Sequence, residues 1–145
     1  MGHEVVIVVF DGVQSLDVTG PLEVFAGASR APGADYRVRV GSLGGSAVVA
    51  SSGLGLVPSV ALEEVGRIDT LVVAGGEGAR GGVDPGLVEW LAGACGRAGR
   101  VASVCTGAYL LAQAGVLEGL RVTTHWAYCG EFAGRFPGVE VDPDP

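Results

Sequence analysis

The chain has 145 residues, 48% of them hydrophobic, and a mean hydropathy of +0.45. That length suits one domain, which can bury roughly two-thirds of its unfolded surface without disulfides or structural metal, and the composition excludes a disordered chain. A net charge of −7 argues against a segment that grips nucleic acid or an anionic membrane by itself. Nine arginines and no lysine leave no Schiff-base or P-loop lysine chemistry available.

Valine dominates the branched residues, which favours strands. The 26 glycines are too many for a helical bundle and follow no three-residue period. The N-terminus lacks a basic stretch, and the apolar run after it is too short for a signal segment or a membrane span. Cys95, Cys105 and Cys129 are odd in number and contain no C-x-x-C. They suit free thiols in a reducing compartment better than a disulfide frame or a zinc site. A cytoplasmic protein is expected, with no metal site and no cofactor.

Residues 4–10 read as a strand buried on both faces, and Asp11-Gly12 as a turn. Thr19-Gly20-Pro21 reads as a helix start with Pro21 in its first turn; that helix runs to about Ser29. Residues 36–40 alternate as a strand with Arg37 and Arg39 on one face. A turn at Gly44-Gly45, a short strand at 47–50 and a loop or irregular hairpin over 51–60 follow. Residues 70–73 form a second buried strand running into Ala74-Gly75-Gly76-Glu77-Gly78. Asp84-Pro85 opens a helix that buries Leu87, Val88, Leu91 and Ala94. A third buried strand at 100–104 meets a helix over 106–114 that Gly115 closes. A strand at 121–124, a helix at 127–136 and a strand at 139–141 complete the chain. This alternation predicts an α/β three-layer sandwich with a mostly parallel sheet, as one domain over residues 1–145. Ending on a half-strand, the domain is expected to continue past Pro145.

The most informative stretch is Ser103-Val104-Cys105-Thr106-Gly107-Ala108. A strand of small residues ends at a cysteine and a helix begins at once, as in an elbow that lifts a nucleophile to the carboxyl edge of a sheet. A thiol placed there would be favoured as thiolate by the helix dipole; a buried core cysteine is the alternative. Asp17 would reach the same edge as orienter or base, or else cap a helix. The N–H groups of Gly75 and Gly76, with that of Thr106, could face an oxyanion; a plain glycine turn is the alternative. We place only Gly76 and Gly78 on the G-x-G-x-x-G spacing and so do not read a dinucleotide loop. His125 could reach the edge too, or pack structurally among its aromatic neighbours.

Asp17-Val18-Thr19-Gly20-Pro21, Ala74-Gly75-Gly76, Ser103-Val104-Cys105-Thr106-Gly107 and Thr123-Thr124-His125-Trp126, in this order, resemble the ThiJ/PfpI superfamily. The resemblance implies a flavodoxin-like fold of the class I glutamine-amidotransferase type, with Cys105 at the elbow, Asp17 as its acidic partner and Gly75 and Gly76 on the oxyanion side. Residues 135–144 resemble the sensing domain of AraC-type transcriptional regulators. Residues 49–54 and His125-Trp126-Ala127-Tyr128 are similar to isonitrile hydratases, where the resemblance implies catalysis by Asp17, Cys105 and Thr106, with Thr106 orienting a water. Thr106 after the cysteine, where many relatives carry histidine, speaks against protease-like behaviour.

Two functional readings follow, beside a blander one in which the chain keeps the elbow for shape alone. The first, ranked ahead because the regulator-like motif reaches further along the chain, is a ligand-sensing, homodimer-forming domain that does not itself bind DNA. The second is a hydratase of small isonitriles. Both need a small-molecule ligand and neither needs a membrane.

Overall fold

The structure, a computed structural model, describes residues 2–145. Strand β1 (His3–Val8) is the centre of the molecule: Val5, Val6, Ile7 and Val8 are all fully buried. Side chains alternate across a strand, so burial of every position means that both faces are covered. Each buried valine or isoleucine stabilises the fold by about 1.5–3 kcal/mol. β2 (Tyr36–Ser42) and β6 (Thr70–Val73) flank β1 in parallel, with Val5 opposite both Val38 and Thr70. β5 (Val60–Ala61) extends the β2 side and β7 (Arg100–Ser103) the β6 side. The order is β5-β2-β1-β6-β7, all parallel, which is the expected flavodoxin-like α/β arrangement. Arg37 and Arg39 share one face of β2, and both reach Glu4 on β1, at 3.7 and 3.5 Å.

The chain walks outward from β1 to β2 and β5, then returns to β6 and β7. Connections from β1 and β6 therefore leave in opposite directions and open a crevice beyond their carboxyl ends, where ligands bind in open α/β sheets.

Helix α1 (Ser15–Ala28) begins earlier than the sequence reading placed it, and Pro21 lies inside it. A proline there removes one N–H donor, so the Asp17 carbonyl lacks its i+4 partner. Buried Val18 anchors the first turn against the core, and Leu22 and Phe25 pack beside it; this tertiary packing outweighs the local cost. The short β3 (Val48–Val49), inside the strand expected at 47–50, pairs antiparallel with β4 (Gly55–Leu56), inside the segment read as a loop or irregular hairpin. It is tied to the β1–α1 connection: Gly12 donates to the Val49 carbonyl at 2.8 Å, and Ser51 N–H to that of Val13 at 2.9 Å.

A four-residue helix α2 (Glu77–Arg80) follows β6. Helix α3 (Pro85–Arg97) starts as expected, with Asp84 accepting from the Gly86 N–H at 2.8 Å and Leu87, Leu91 and Ala94 buried. After β7 a tight turn over Cys105–Gly107 leads into α4 (Ala108–Gln113), and Gly115 in the left-handed region ends it. β8 (Arg121–Val122) and β9 (Glu140–Val141) pair in parallel with one another as a separate two-stranded sheet and do not widen the central one. Between them α5 (Cys129–Arg135) seats Phe132 edge-on against buried Tyr109, ring centroids 5.0 Å apart. No described helix is long and apolar enough to cross a membrane.

Candidate functional site

The three chain segments leaving the carboxyl ends of β1, β6 and β7 meet at a cavity of about 550 Å³. Asp17, Gly76, Cys105, Thr106 and His125 line it together. Gly75 does not line it; it sits just behind.

Cys105 follows β7 directly and has φ of +55°, a left-handed conformation that no other non-glycine residue adopts among those described. Such strain costs about 1–3 kcal/mol and persists only where the surroundings impose it. Two features impose it here. Gly107 presses on β6: a Cβ at that position would stand 2.1 Å from the Val73 carbonyl oxygen. Thr124 donates from Oγ1 to the Cys105 carbonyl at 3.0 Å. The sharp strand-to-helix bend is thus held from both sides, and the half-buried Cys105 faces the cavity.

Asp17 sits in the first turn of α1, and the residue preceding that helix is Gln14, so Asp17 is not the helix cap. Its Oδ2 accepts from the Gly75 N–H at 3.1 Å, and its carboxyl also interacts with the Cys105 side chain. Burial raises the Asp17 pKa above the ordinary carboxylate range, opposed by the Gly75 N–H, the Cys105 contact and the field of His125. The Cys105 thiol is pushed up as well, first by burial and then by the negative charge of Asp17, against the Thr106 N–H and hydroxyl. This corrects the expectation of a thiolate favoured by the helix end: desolvation and the facing carboxylate outweigh the local dipole. The charge of Asp17 thus adds to burial in favouring the protonated thiol of Cys105.

The glycine loop also differs from expectation. Gly75 N–H is spent on Asp17, and Gly76 N–H donates to Thr106 Oγ1 at 2.9 Å. These two groups therefore hold the acid and the threonine in place and do not stand open to an oxyanion. Thr106 is buried, and its hydroxyl donates back to the Gly76 carbonyl at 3.3 Å. Engaged with Gly76 in both directions, it braces the loop. Gly81 in fact completes the spacing Gly76-x-Gly78-x-x-Gly81. The loop is nevertheless filled by protein: Gly76 has φ of +130°, and a Cβ there would lie 2.4 Å from the Gly12 carbonyl.

His125 does both things the sequence left open. Its Nδ1 accepts from the Ala127 N–H at 3.1 Å, and its ring packs on Trp126 and Tyr128 at 5.5 and 5.4 Å. It also lines the cavity. Sequence reasoning missed Gln14, Glu77 and Arg80 on the same wall. Arg80 lies in a helix too short to show periodicity, so no pattern could have announced it. The other cysteines lie apart: Cys129 is buried, its sulfur near the Thr124 and His125 carbonyls, and Cys95 is on α3. Among the described residues, no group of three or more His, Cys, Asp or Glu is arranged to hold a metal ion.

A parallel α/β sheet with an acid-paired cysteine on a strained bend at its switch point defines a class of nucleophile-elbow domains. The chain belongs to the DJ-1/PfpI family, whose model matches residues 3–136. It is 47% identical over 136 residues to an uncharacterized protein in the cpoL 5' region of Streptomyces lividans, covering 93% of this chain and 96% of that one. It is 35% identical over 129 residues to the isonitrile hydratase of Pseudomonas putida, covering 88% of this chain and 54% of the hydratase. Over 107 residues it is 38% identical to the HTH-type transcriptional regulator CdhR of Pseudomonas aeruginosa, covering 73% of this chain and 32% of the regulator. Among these matches the hydratase likeness reaches further along the chain, the reverse of the expectation that ranked the sensor first. The fold superposes on the crystal structure of an AraC family transcriptional regulator from Pseudomonas putida with a TM-score of 0.79, at 24% identity, covering 98% of this chain and 77% of that one.

Proposed function

We propose that Cys105 is a nucleophile that hydrates a small isonitrile to an N-formamide, with Asp17 as the proton carrier. The observation that carries this reading is the Asp17 carboxyl facing the Cys105 thiol in one crevice, with both groups raised in pKa by burial. The thiol gives its proton to Asp17 as sulfur bonds to the isonitrile carbon, and Asp17 returns that proton to the same carbon, forming a thioimidate. Water then adds to this carbon, one of its protons passing through Asp17 to the imine nitrogen and the other staying on the new hydroxyl until the C–S bond breaks. The C–S bond breaks, the sulfur regains a proton and the formamide leaves. Water is consumed, one formamide forms per isonitrile, and nothing is oxidised. Thr106 acts as a positioning residue through Gly76, and His125 closes the wall beside the acid.

The test is proton NMR of a small aliphatic isonitrile incubated with the protein. The formamide resonance grows with the wild type and is absent with Cys105→Ala, whose circular dichroism is unchanged. Formamide production by Cys105→Ala at the wild-type rate sinks the mechanism.

A second reading, ligand sensing within an AraC-type regulator, is favoured by the sequence likeness to CdhR. In that case the crevice binds its ligand without turnover, and the domain works as a cytoplasmic homodimer. The exposed Leu16 and Val24 of α1 offer an apolar face for such pairing. Ligand-dependent thermal stabilisation with no product, together with a dimer in sedimentation, distinguishes this reading from the first.

A further inference from the structure

The crevice around Cys105 holds one fixed positive charge. Arg80 is the one arginine among the residues described on its wall, and the chain has no lysine. The Arg80 guanidinium stands 4.1 Å from the centroid of the Tyr128 ring, which belongs to the same wall. A cation seated on an aromatic face is held in position without spending its N–H donors. The backbone is held as well, because Arg135 donates from Nη1 to the Arg80 carbonyl at 2.8 Å.

The ion pairs of the described residues join Arg37 and Arg39 to Glu4, Arg67 to Asp69 and Arg121 to Asp142. Among those residues no carboxylate comes within 4.0 Å of Arg80, although the chain carries a net charge of −7. The acidic side chains on the same wall are engaged or exposed: Asp17 faces Gly75 and Cys105, and Glu77 is exposed. A half-buried guanidinium that lies on an aromatic ring, with no carboxylate partner among the described residues, gains most when an incoming carboxylate supplies two acceptors.

We propose that Arg80 receives the carboxylate of the substrate, so that the Cys105 site takes a small anionic electrophile with its reactive carbon directed at the sulfur. This rests on Cys105 being the reacting nucleophile and names the class of molecule it serves. The cavity, about 550 Å³, accommodates a molecule of that size.

Iodoacetate and iodoacetamide test it, because they present the same reactive carbon and differ in carrying a carboxylate or a neutral amide. With either reagent the Cys105 thiolate forms a C–S bond, the C–I bond breaks and iodide departs. The rate ratio of iodoacetate to iodoacetamide at Cys105, read by mass spectrometry, falls about tenfold or more in Arg80→Met. Arg30→Met removes the same charge from an exposed position outside the crevice and leaves the ratio unchanged. An unchanged ratio in Arg80→Met, or an equal fall in Arg30→Met, overturns the proposal. A parallel comparison of kcat/KM for an isonitrile bearing a carboxylate and for its methyl amide separates this proposal from the hydratase reading. Turnover of both with no carboxylate preference defeats anion recognition and keeps the hydratase. Turnover of neither, with the alkylation preference intact, does the opposite.

Discussion

The backbone N–H of Gly75 donates to Oδ2 of Asp17 at 3.1 Å. This bond joins the end of β6 to the first turn of α1 and aims the acid at the sulfur beyond β7. Asp17→Asn keeps an acceptor for Gly75 and loses the titrating group. We expect it to lower kcat for isonitrile hydration by about 100-fold or more, the usual scale of general acid–base assistance. Stopped time-course NMR at saturating substrate measures it, and a kcat within error of wild type argues that Asp17 moves no proton.

Thr106 offers a test of the loop it braces. Thr106→Val leaves the Gly76 N–H without its 2.9 Å acceptor in a half-buried position, at a cost of about 1–3 kcal/mol. Thr106→Ser restores the oxygen and should recover most of that loss. Urea denaturation of the three proteins decides it, and equal midpoints for the valine and serine variants contradict a bracing role.

Two glycines carry opposite expectations. Gly107→Ala drives a methyl toward the Val73 carbonyl, with 2.1 Å available; backbone cannot yield there cheaply, and a loss of about 2 kcal/mol or more is expected. Gly93 lies on the exposed side of α3 with nothing within 4 Å of a new Cβ. Gly93→Ala should stabilise the fold by about 0.5–1 kcal/mol through helix propensity. Thermal melts that fail to separate the two variants in this order refute the packing at the elbow.

Acidic groups pull the pH dependence of stability in two directions. Asp17 has a folded pKa raised above its ordinary 3.8, by burial first. Its contribution is therefore present below 3.8 and lost as pH rises through the folded value. Asp69 has a folded pKa below 3.8, held down first by the Glu4 N–H at 2.7 Å and then by Arg67. Its contribution is present above 3.8 and lost as pH falls through the lower value. Urea midpoints should thus show Asp17→Asn gaining on wild type as pH rises above the carboxylate range, and Asp69→Asn losing ground at neutral pH and converging with wild type in acid. The opposite trends would contradict both assignments.

Much of the site was legible because its sequence signals are local. A valine-rich strand ending at Cys105 and followed by Thr106-Gly107-Ala108 specifies a bend without help from the rest of the chain. The buried runs of β1 and β6 gave away the parallel sheet in the same way, so Asp17, Gly76, Cys105, Thr106 and His125 could be brought to one edge. What failed depended on tertiary context. Pro21 reads locally as a helix start, yet Val18 packs the preceding turn into the core. The Gly75 and Gly76 amides are visible in the sequence, but their partners come from α1 and the elbow. The state of Cys105 was misjudged because burial and a distant aspartate override the turn beside it. Arg80 left no trace, since its meaning arises from Tyr128, 48 positions away in the chain.

The most direct test of the Asp17–Cys105 relationship is the pH profile of iodoacetamide alkylation at Cys105, read peptide by peptide in wild type and Asp17→Asn. With the carboxylate facing the sulfur, the wild-type midpoint lies above that of an ordinary thiol, and Asp17→Asn shifts it to lower pH. A midpoint that stays put or rises in Asp17→Asn would mean that the charge of the acid does not act on the thiol.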